Sequence, residues 1–556
     1  MHGEISARVA PLGSPTTRFL PWSFLLLGIG IRLVRYGLRF PLWGDELLLT
    51  SNFLDRSFAD LLRPLDYHQV APVLFLWLEL AATRLLGFTE YSLRLVPFAF
   101  GIGSLVLFYW IAMRSFGHTA ALLGVAIFAV ATYVVRYNAE AKPYSADACA
   151  SLALVAIALR WWYEPNRPRW LWLLAAVAPL AVLLSYPSIF VIGGLSVALF
   201  VTLVRQRPPR SGIPFLVFAL LSGLSLALSL KLSIGPQTAA EGHVMRDYWA
   251  NAFPPNSWTE WPRWLLGTHT GEMFAYPVGG ENGGGAIQFG LFAIGLWALY
   301  RGRLHPLALA ITAIFALALV AATLKRYPYG GHPRLMQYAA PLICLCMGAG
   351  IARLLEAMRH DRLRRWTFHA TLIGFALLGA GQIARDLVHP YRDEHERVYR
   401  DMARWFWDQQ KQVEADVTCI DTAFQVEPFP ENRHKMPWVA YRCNRRIYGA
   451  FGERTPPQDH SSRRPLRCVV YHQADVQPDE SRLQSWLAEM NERYELVDHR
   501  SYRWSRDVPR AREVYDVYEF IVRGESRNAR REGNPGKFGR GGKAMATGTG
   551  TRDQRL

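Results

Sequence analysis

Paired metal-binding cysteines are missing from this chain. Its six cysteines, at 149, 344, 346, 419, 443 and 468, form no Cys-x-x-Cys pair and have no histidine at zinc-site spacing, which argues against structural zinc. Cys149, Cys344 and Cys346 lie in hydrophobic runs and read as inert, buried thiols. Cys419, Cys443 and Cys468 fall in a polar region, where one disulfide is compatible only with export. No small-residue cleavage site interrupts the apolar stretch that runs from Phe19 into Arg32 and Arg35, so it reads as a first membrane span and not as a signal peptide. Acids are scarce: 45 Asp and Glu face 62 Lys and Arg, for a formal charge of +17. In a soluble protein that balance would suggest nucleic acid. Here the basic residues sit mostly between apolar runs, where retention of short cytoplasmic loops explains them, with attraction to anionic membrane lipids as a second effect.

What the chain has in quantity is apolar sequence, 51% of 556 residues with 13% aromatic. Its near-zero mean hydropathy averages a greasy first two thirds against a charged last third. A span needs roughly 20 apolar residues, and about eleven stretches qualify, near 19–38, 94–113, 119–136, 143–162, 169–186, 187–204, 213–234, 286–300, 305–324, 335–355 and 366–386. A further stretch, 69–87, decides the topology. Read as an interfacial helix, as Glu79 and Arg84 suggest, it puts nearly all basic connectors on one side, including Arg114, Arg167, Arg210, Arg301 and Arg359. The expected architecture is therefore an α-helical polytopic membrane protein with a cytoplasmic 1–18, a membrane domain over 19–389 with outer loops 39–93 and 235–286, a soluble α/β domain over 390–525, and a disordered basic tail over 526–556.

The chemically unusual residues fall on the side opposite the basic connectors. Trp43-Gly44-Asp45-Glu46 places two acids directly after the first span, and ionised acids at a membrane surface need a partner or water. Asp45 is the stronger functional candidate, because one of two adjacent residues often faces away. Two further segments bring cations and phenols to the same face: Tyr137-Asn138-Ala139-Glu140-Ala141-Lys142-Pro143-Tyr144 and Tyr327-Pro328-Tyr329-Gly330-Gly331-His332-Pro333-Arg334. A base with several cations at one interface suits a lipid-linked phosphate whose tail stays in the bilayer, since Arg clamps phosphate oxygens in pairs and Lys acts as a point charge. Taken alone, Arg334 would read as a snorkelling residue at a span end. The 235–286 loop adds His243, Tyr248, Trp249, Trp258, Trp261 and Trp264, residues suited both to sugar stacking and to an interfacial aromatic belt.

In order along the first 390 or so residues, these pieces resemble the GT-C membrane glycosyltransferases of the protein mannosyltransferase and aminoarabinose transferase kind. The resemblance is carried by Trp43-Gly44-Asp45-Glu46, by Tyr67-His68-Gln69-Val70-Ala71-Pro72-Val73-Leu74 where the family has a His-Pro-Pro-Leu type of segment, by Tyr91-Ser92-Leu93-Arg94, by Glu140-Ala141-Lys142-Pro143-Tyr144 where it has Glu-x-Arg-Pro-Tyr, and by Arg334 before Pro341. Lys142 departs from the usual Arg and loses bidentate geometry, and Gln69-Val70-Ala71 interrupts the His-Pro-Pro segment. The resemblance implies a GT-C fold and inverting transfer of a sugar from a polyprenyl-phosphate donor to a glycan, lipid or protein acceptor. It also implies a bacterial inner or plasma membrane location with a periplasmic or extracellular catalytic face. Asp45 would be the general base, with Glu46 orienting the acceptor or joining Asp45 at a divalent cation, which some members use and others do not. Arg334, Lys142, Arg94 and Tyr144 would hold the donor phosphate, and His68, Glu140, His332 and Tyr327 are substrate-binding candidates.

Beyond residue 390 the sequence alternates between helix-like 396–410 and 481–493 and strand-like 417–420, 468–471 and 514–522, with no nucleotide-binding glycine loop or nucleophile elbow. Acceptor recognition or shielding of the site are the roles expected of it. A lipid or glycolipid transporter is the alternative for the whole chain, but transporters commonly carry internal repeats and a site at the midplane, and this chain has no visible repeat and gathers its unusual residues at one face.

Overall fold

The computed structural model describes residues 19–237, 246–280, 285–410, 415–420, 436–449, 465–473, 479–505 and 512–523. The expected N-terminal 1–18, the basic tail and His243 lie outside them, as does the Cys419 side chain. The chain divides into two compact units, 1–401 with 442–447, and 402–441 with 448–556. The first break therefore comes about a dozen residues after the expected 389/390 boundary.

In the first unit, each of the eleven apolar stretches falls on a helix. In chain order these are α1 (Leu20–Gly37), then α2 (Gly44–Thr50) and α3 (Val73–Leu86) outside the set, and α4 (Ser92–Ser115), α5 (His118–Val130), α6 (Tyr144–Tyr163), α7 (Arg169–Leu184), α8 (Ser188–Gln206) and α9 (Gly212–Ser229). After the short α10 (Trp261–Thr270) come α11 (Gly285–Arg301), α12 (His305–Thr323), α13 (Ala340–Ala357) and α14 (Asp361–Val388). Among the described residues, seven helices are long and apolar enough to cross a membrane, and α5 and α7 are shorter apolar helices. Several helices open with Pro in the first turn, as in α1, α12 and α13, where the missing N–H costs nothing.

The centre of the bundle is α5, buried without interruption from Ala121 to Val130. It stops at Ala131, which is extended, and its last carbonyls are not left bare. Arg32, 0% exposed, donates to the carbonyls of Gly28, Phe128 and Ala129, and Gln382 donates to Val130. These bonds replace the orphan C=O partners that a helix end lacks in an apolar setting. Close helix pairs rest on small residues: a Cβ on Gly295 would fall 1.7 Å from the Cys346 carbonyl, and one on Gly350 2.0 Å from that of Leu291. Backbones that touch this way recover in dispersion what lipid cannot supply as a hydrophobic drive.

Helix α3 has both ends at the same end of the bundle. Gln69, just before it, accepts from Lys142 at the head of α6, and Glu90, just after it, pairs with Arg39 at the end of α1. The 69–87 stretch thus enters and leaves on one side, as an interfacial element does. Glu79, which with Arg84 suggested an interfacial amphipathic helix, is fully buried.

The second unit holds a four-stranded sheet of order β1-β2-β4-β3, with β1 Asp416–Ile420, β2 Leu466–Gln473, β3 Tyr494–Ser505 and β4 Arg512–Val522. β1 and β2 run parallel, and the other pairs antiparallel. The helix α17 (Glu480–Arg493), which follows α15 (Glu394–Gln410) and α16 (Met436–Tyr448), buries Trp486 against a core of Ile420, Cys468, Val470, Tyr518 and Phe520. This is the small α/β domain expected from the alternation, with β3 as a strand that the sequence reading passed over.

Candidate active site

Asp45 and Glu46, neighbours in the first turn of α2, have opposite fates. The helix rotates successive residues by about 100°, so only one of them faces the interior. Glu46 is 0% exposed. Its Oε1 accepts from Arg94 Nε at 2.8 Å and from the Ala141 amide at 2.7 Å, while its Oε2 accepts from Arg94 at 2.5 Å and from the Trp43 amide at 3.2 Å. Arg94 spends its remaining donors on the carbonyls of Phe40 and Pro41. Each charge is thus neutralised and hydrogen-bonded within the fold, the condition under which a buried ion pair survives desolvation. The pair ties α2, the head of α4 and the 136–144 segment together. Arg94, expected on the donor phosphate, is committed to this brace, and Glu46 presents no free oxygen to an acceptor.

Asp45 keeps a side chain that is 32% exposed, and its Oδ2 accepts from Arg334 at 2.6 Å. Arg334 rises from a short turn, Pro333–Met336, that begins where His332 caps it: the His332 Nδ1 accepts from the Arg334 amide at 3.2 Å. Gly330 and Gly331, both at positive φ, make the preceding bend that brings the turn back to the site. The guanidinium lies 4.6 Å from the Trp249 ring centroid and donates to the Tyr248 hydroxyl at 3.3 Å. Two residues of the aromatic loop are therefore built around Arg334, which sequence composition alone did not single out from their tryptophan neighbours.

His332 is a poor cation here. Burial pushes its imidazole down to about 3, and the charges of Arg334, Arg136 and Arg392 push the same way. It remains neutral at pH 7 and serves as an acceptor, with the Tyr137 hydroxyl 3.4 Å from its Nδ1. Lys142 donates to the Gln69 side chain at 2.6 Å, so the residue that interrupts the His-Pro-Pro segment is the partner of the residue that departs from Arg. Burial lowers the Lys142 ammonium, as does Arg334, and Asp45 opposes them. Tyr144 packs edge-on to Tyr137 at 4.8 Å.

Other expected ligands are placed further from open space. Glu140 is 3% exposed and accepts from Arg136 at 2.8 Å, with its second oxygen lacking a protein partner. Tyr327 is packed between Phe190 and Tyr338 and donates to the Leu335 carbonyl at 3.0 Å, which makes it a support of the 325–336 bend. His68 stands at positive φ in the loop before α3. Glu79 is also fully buried, with neither carboxyl oxygen hydrogen-bonded, and burial raises its pKa well above the ordinary value. Oxygens of Asp45 and Glu46 are turned to protein donors. Glu46 is saturated by N–H donors, Asp45 holds Arg334, and among the described residues no three metal-type side chains converge.

No curated protein matches the chain. Among solved structures it is similar to ArnT from Cupriavidus metallidurans bound to undecaprenyl phosphate, at 13% identity over 89% of this chain and 97% of that one, with a TM-score of 0.49. It is also similar to the oligosaccharyltransferase of Archaeoglobus fulgidus tethered to an acceptor peptide, at 12% identity over 76% and 63% of the two chains, with a TM-score of 0.41. Residues 70–229 match the family model for dolichyl-phosphate-mannose-protein mannosyltransferase, a segment that contains Arg94 and the Glu140–Tyr144 motif but neither Asp45 nor Arg334. In that segment, as in the order of its motifs, this integral membrane chain resembles the GT-C membrane glycosyltransferases.

Proposed function

We propose that the chain is an inverting glycosyltransferase that moves a sugar from a polyprenyl-phosphate donor to an acceptor hydroxyl, with Asp45 as general base and Arg334 as a donor-phosphate ligand. One observation carries this reading: a partly open carboxylate is held 2.6 Å from a guanidinium at the mouth of a membrane bundle. A base and a phosphate-binding cation thus stand one hydrogen bond apart, next to the bilayer that would hold the donor's tail.

The acceptor O–H gives its proton to Asp45 as its oxygen attacks the anomeric carbon from the face opposite the phosphate. The anomeric C–O bond breaks, and its electron pair leaves with the phosphate oxygen. As Asp45 becomes neutral, its hold on Arg334 weakens just as negative charge grows on the phosphate. Arg334 is then released toward the group that needs it, the electrostatic service of an oxyanion hole. Lys142 and Tyr144 support the phosphate from the second cationic segment. The basic connectors at the opposite end of the bundle support a site on the periplasmic or extracellular face of a bacterial inner or plasma membrane.

The test is transfer in proteoliposomes supplied with labelled polyprenyl-phosphate sugars and a membrane extract, with the anomeric configuration of the product read by NMR. Inverted product from the wild type, with a loss of about a hundredfold or more in Arg334→Ala, is the expected result. Lipid scrambling without sugar transfer would favour the transporter reading instead.

A further inference from the structure

The segment that follows α14 brings one more cation to the site. Arg392 lays its guanidinium over the indole of Trp43, 3.6 Å from the ring centroid, two residues before Asp45. Stacking uses the flat face of the group and leaves its edge, where the N–H donors lie. Among the described residues no hydrogen bond or ion pair occupies that edge, and the side chain is exposed.

The other cations of the site are committed. Arg94 is bound to Glu46, Arg334 to Asp45, Arg136 to Glu140 and Lys142 to Gln69. Through Trp43, Arg392 stands two residues from Asp45, near enough for its charge to act on His332 alongside those of Arg334 and Arg136. Glu396, in the first turn of the helix that follows, makes no ion pair with it among the described residues: burial raises that carboxyl to about 8, and the Arg392 charge opposes the rise.

We propose that Arg392, stacked on Trp43, is an anion seat that takes two oxygens of a phosphate, and that this phosphate is the one leaving the lipid-linked donor. The proposal rests on the transferase reading above. A donor phosphodiester carries one negative charge. After the anomeric C–O bond breaks, the leaving monoester carries up to two, and Arg334 shares its own charge with Asp45. A second guanidinium with a free edge supplies the missing positive charge in the geometry that matches phosphate. Trp43 fixes its plane, so little side-chain freedom is lost on binding.

The experiment measures binding of undecaprenyl phosphate, and separately of inorganic phosphate, to the full-length protein in nanodiscs. It compares wild type, Arg392→Ala, Arg392→Lys, Trp43→Leu and, at the far end of the bundle, Arg359→Ala. Arg392→Ala should weaken undecaprenyl phosphate binding about tenfold or more, Arg392→Lys should recover only part of it, and Arg359→Ala should leave it unchanged. In transfer assays Arg392→Ala should raise KM for the donor and lower kcat, because the charge it meets grows in the transition state. Unchanged binding in an Arg392→Ala protein with a wild-type melting temperature would overturn the seat. Inorganic phosphate binding as tightly as the lipid phosphate would overturn its assignment to the donor. Arg392-dependent binding without any sugar transfer would leave the seat standing and sink the transferase reading.

Discussion

The two ends of the helical bundle use the same residue types to different ends. At the end opposite the site, Arg114 and Arg160 stack on Trp110, Arg169 on Trp170, and Arg301 on Trp297. Their ion pairs are local and open to solvent, as in Arg353 with Glu356 and Arg167 with Glu164. At the site end the pairs join segments far apart in sequence: Arg94 with Glu46 and Arg35 with Asp386 are withdrawn from water, and Arg334 with Asp45 is open on its Asp45 side. Exposed pairs contribute little, and buried ones are costly to break. One end is an interfacial belt, and the other is a built polar site.

The largest effect expected from this contrast is on folding. Arg94→Ala strands Glu46 in a buried setting and should cost about 3–5 kcal/mol, seen as a large drop in thermal midpoint or loss of folded yield. A near-neutral Arg94→Ala would show that the brace is not a brace. A smaller effect follows from His332. Its folded pKa, about 3, lies below the ordinary 6.5, so the unfolded chain takes up the proton first. Stability should be complete above pH 6.5 and fall as pH drops from there toward 3. His332→Gln should flatten that acid limb in a melting-temperature profile, and an identical slope in the variant would contradict the depressed pKa. The smallest effect belongs to the belt. Arg160→Ala and Arg301→Ala should each change stability by less than about 1 kcal/mol and leave sugar transfer at the wild-type rate, and a strong loss in either would erase the distinction between the two ends.

Much of the bundle was legible in the sequence, because a span declares itself by length and apolarity alone. Each of the eleven stretches falls on helix, with 119–136 broken at Ala131, and both ends of the 69–87 stretch meet the site end. β3 was not legible. Its run of Glu495, Asp498, His499, Arg500, Ser501 and Arg503 carries no clean alternation, and its place is set by pairing with β4, a tertiary fact. At the site, Asp45 and Arg334 both stood out as residues, but nothing in a sequence joins positions 289 apart. Arg94 and Glu46 stood out as well, and their charge suggested chemistry. Burial, which sequence reports poorly for a residue beside a span end, turned them into structure. Arg392 went unread because it follows the last span by only a few residues, where an arginine usually marks an interface. The signal available was its position just past Pro390, among the first polar residues to return to the face that carries Trp43.

The division of labour between two adjacent acids is the most direct test of the site. Asp45→Asn and Glu46→Gln should be compared side by side for thermal midpoint and for sugar transfer in proteoliposomes. Asp45→Asn should keep a near-wild-type midpoint and lose transfer by about a hundredfold or more, while Glu46→Gln should lose stability first, with activity falling in proportion to folded protein. An active Asp45→Asn, or a stable Glu46→Gln that has lost transfer, would contradict the assignment of base and brace.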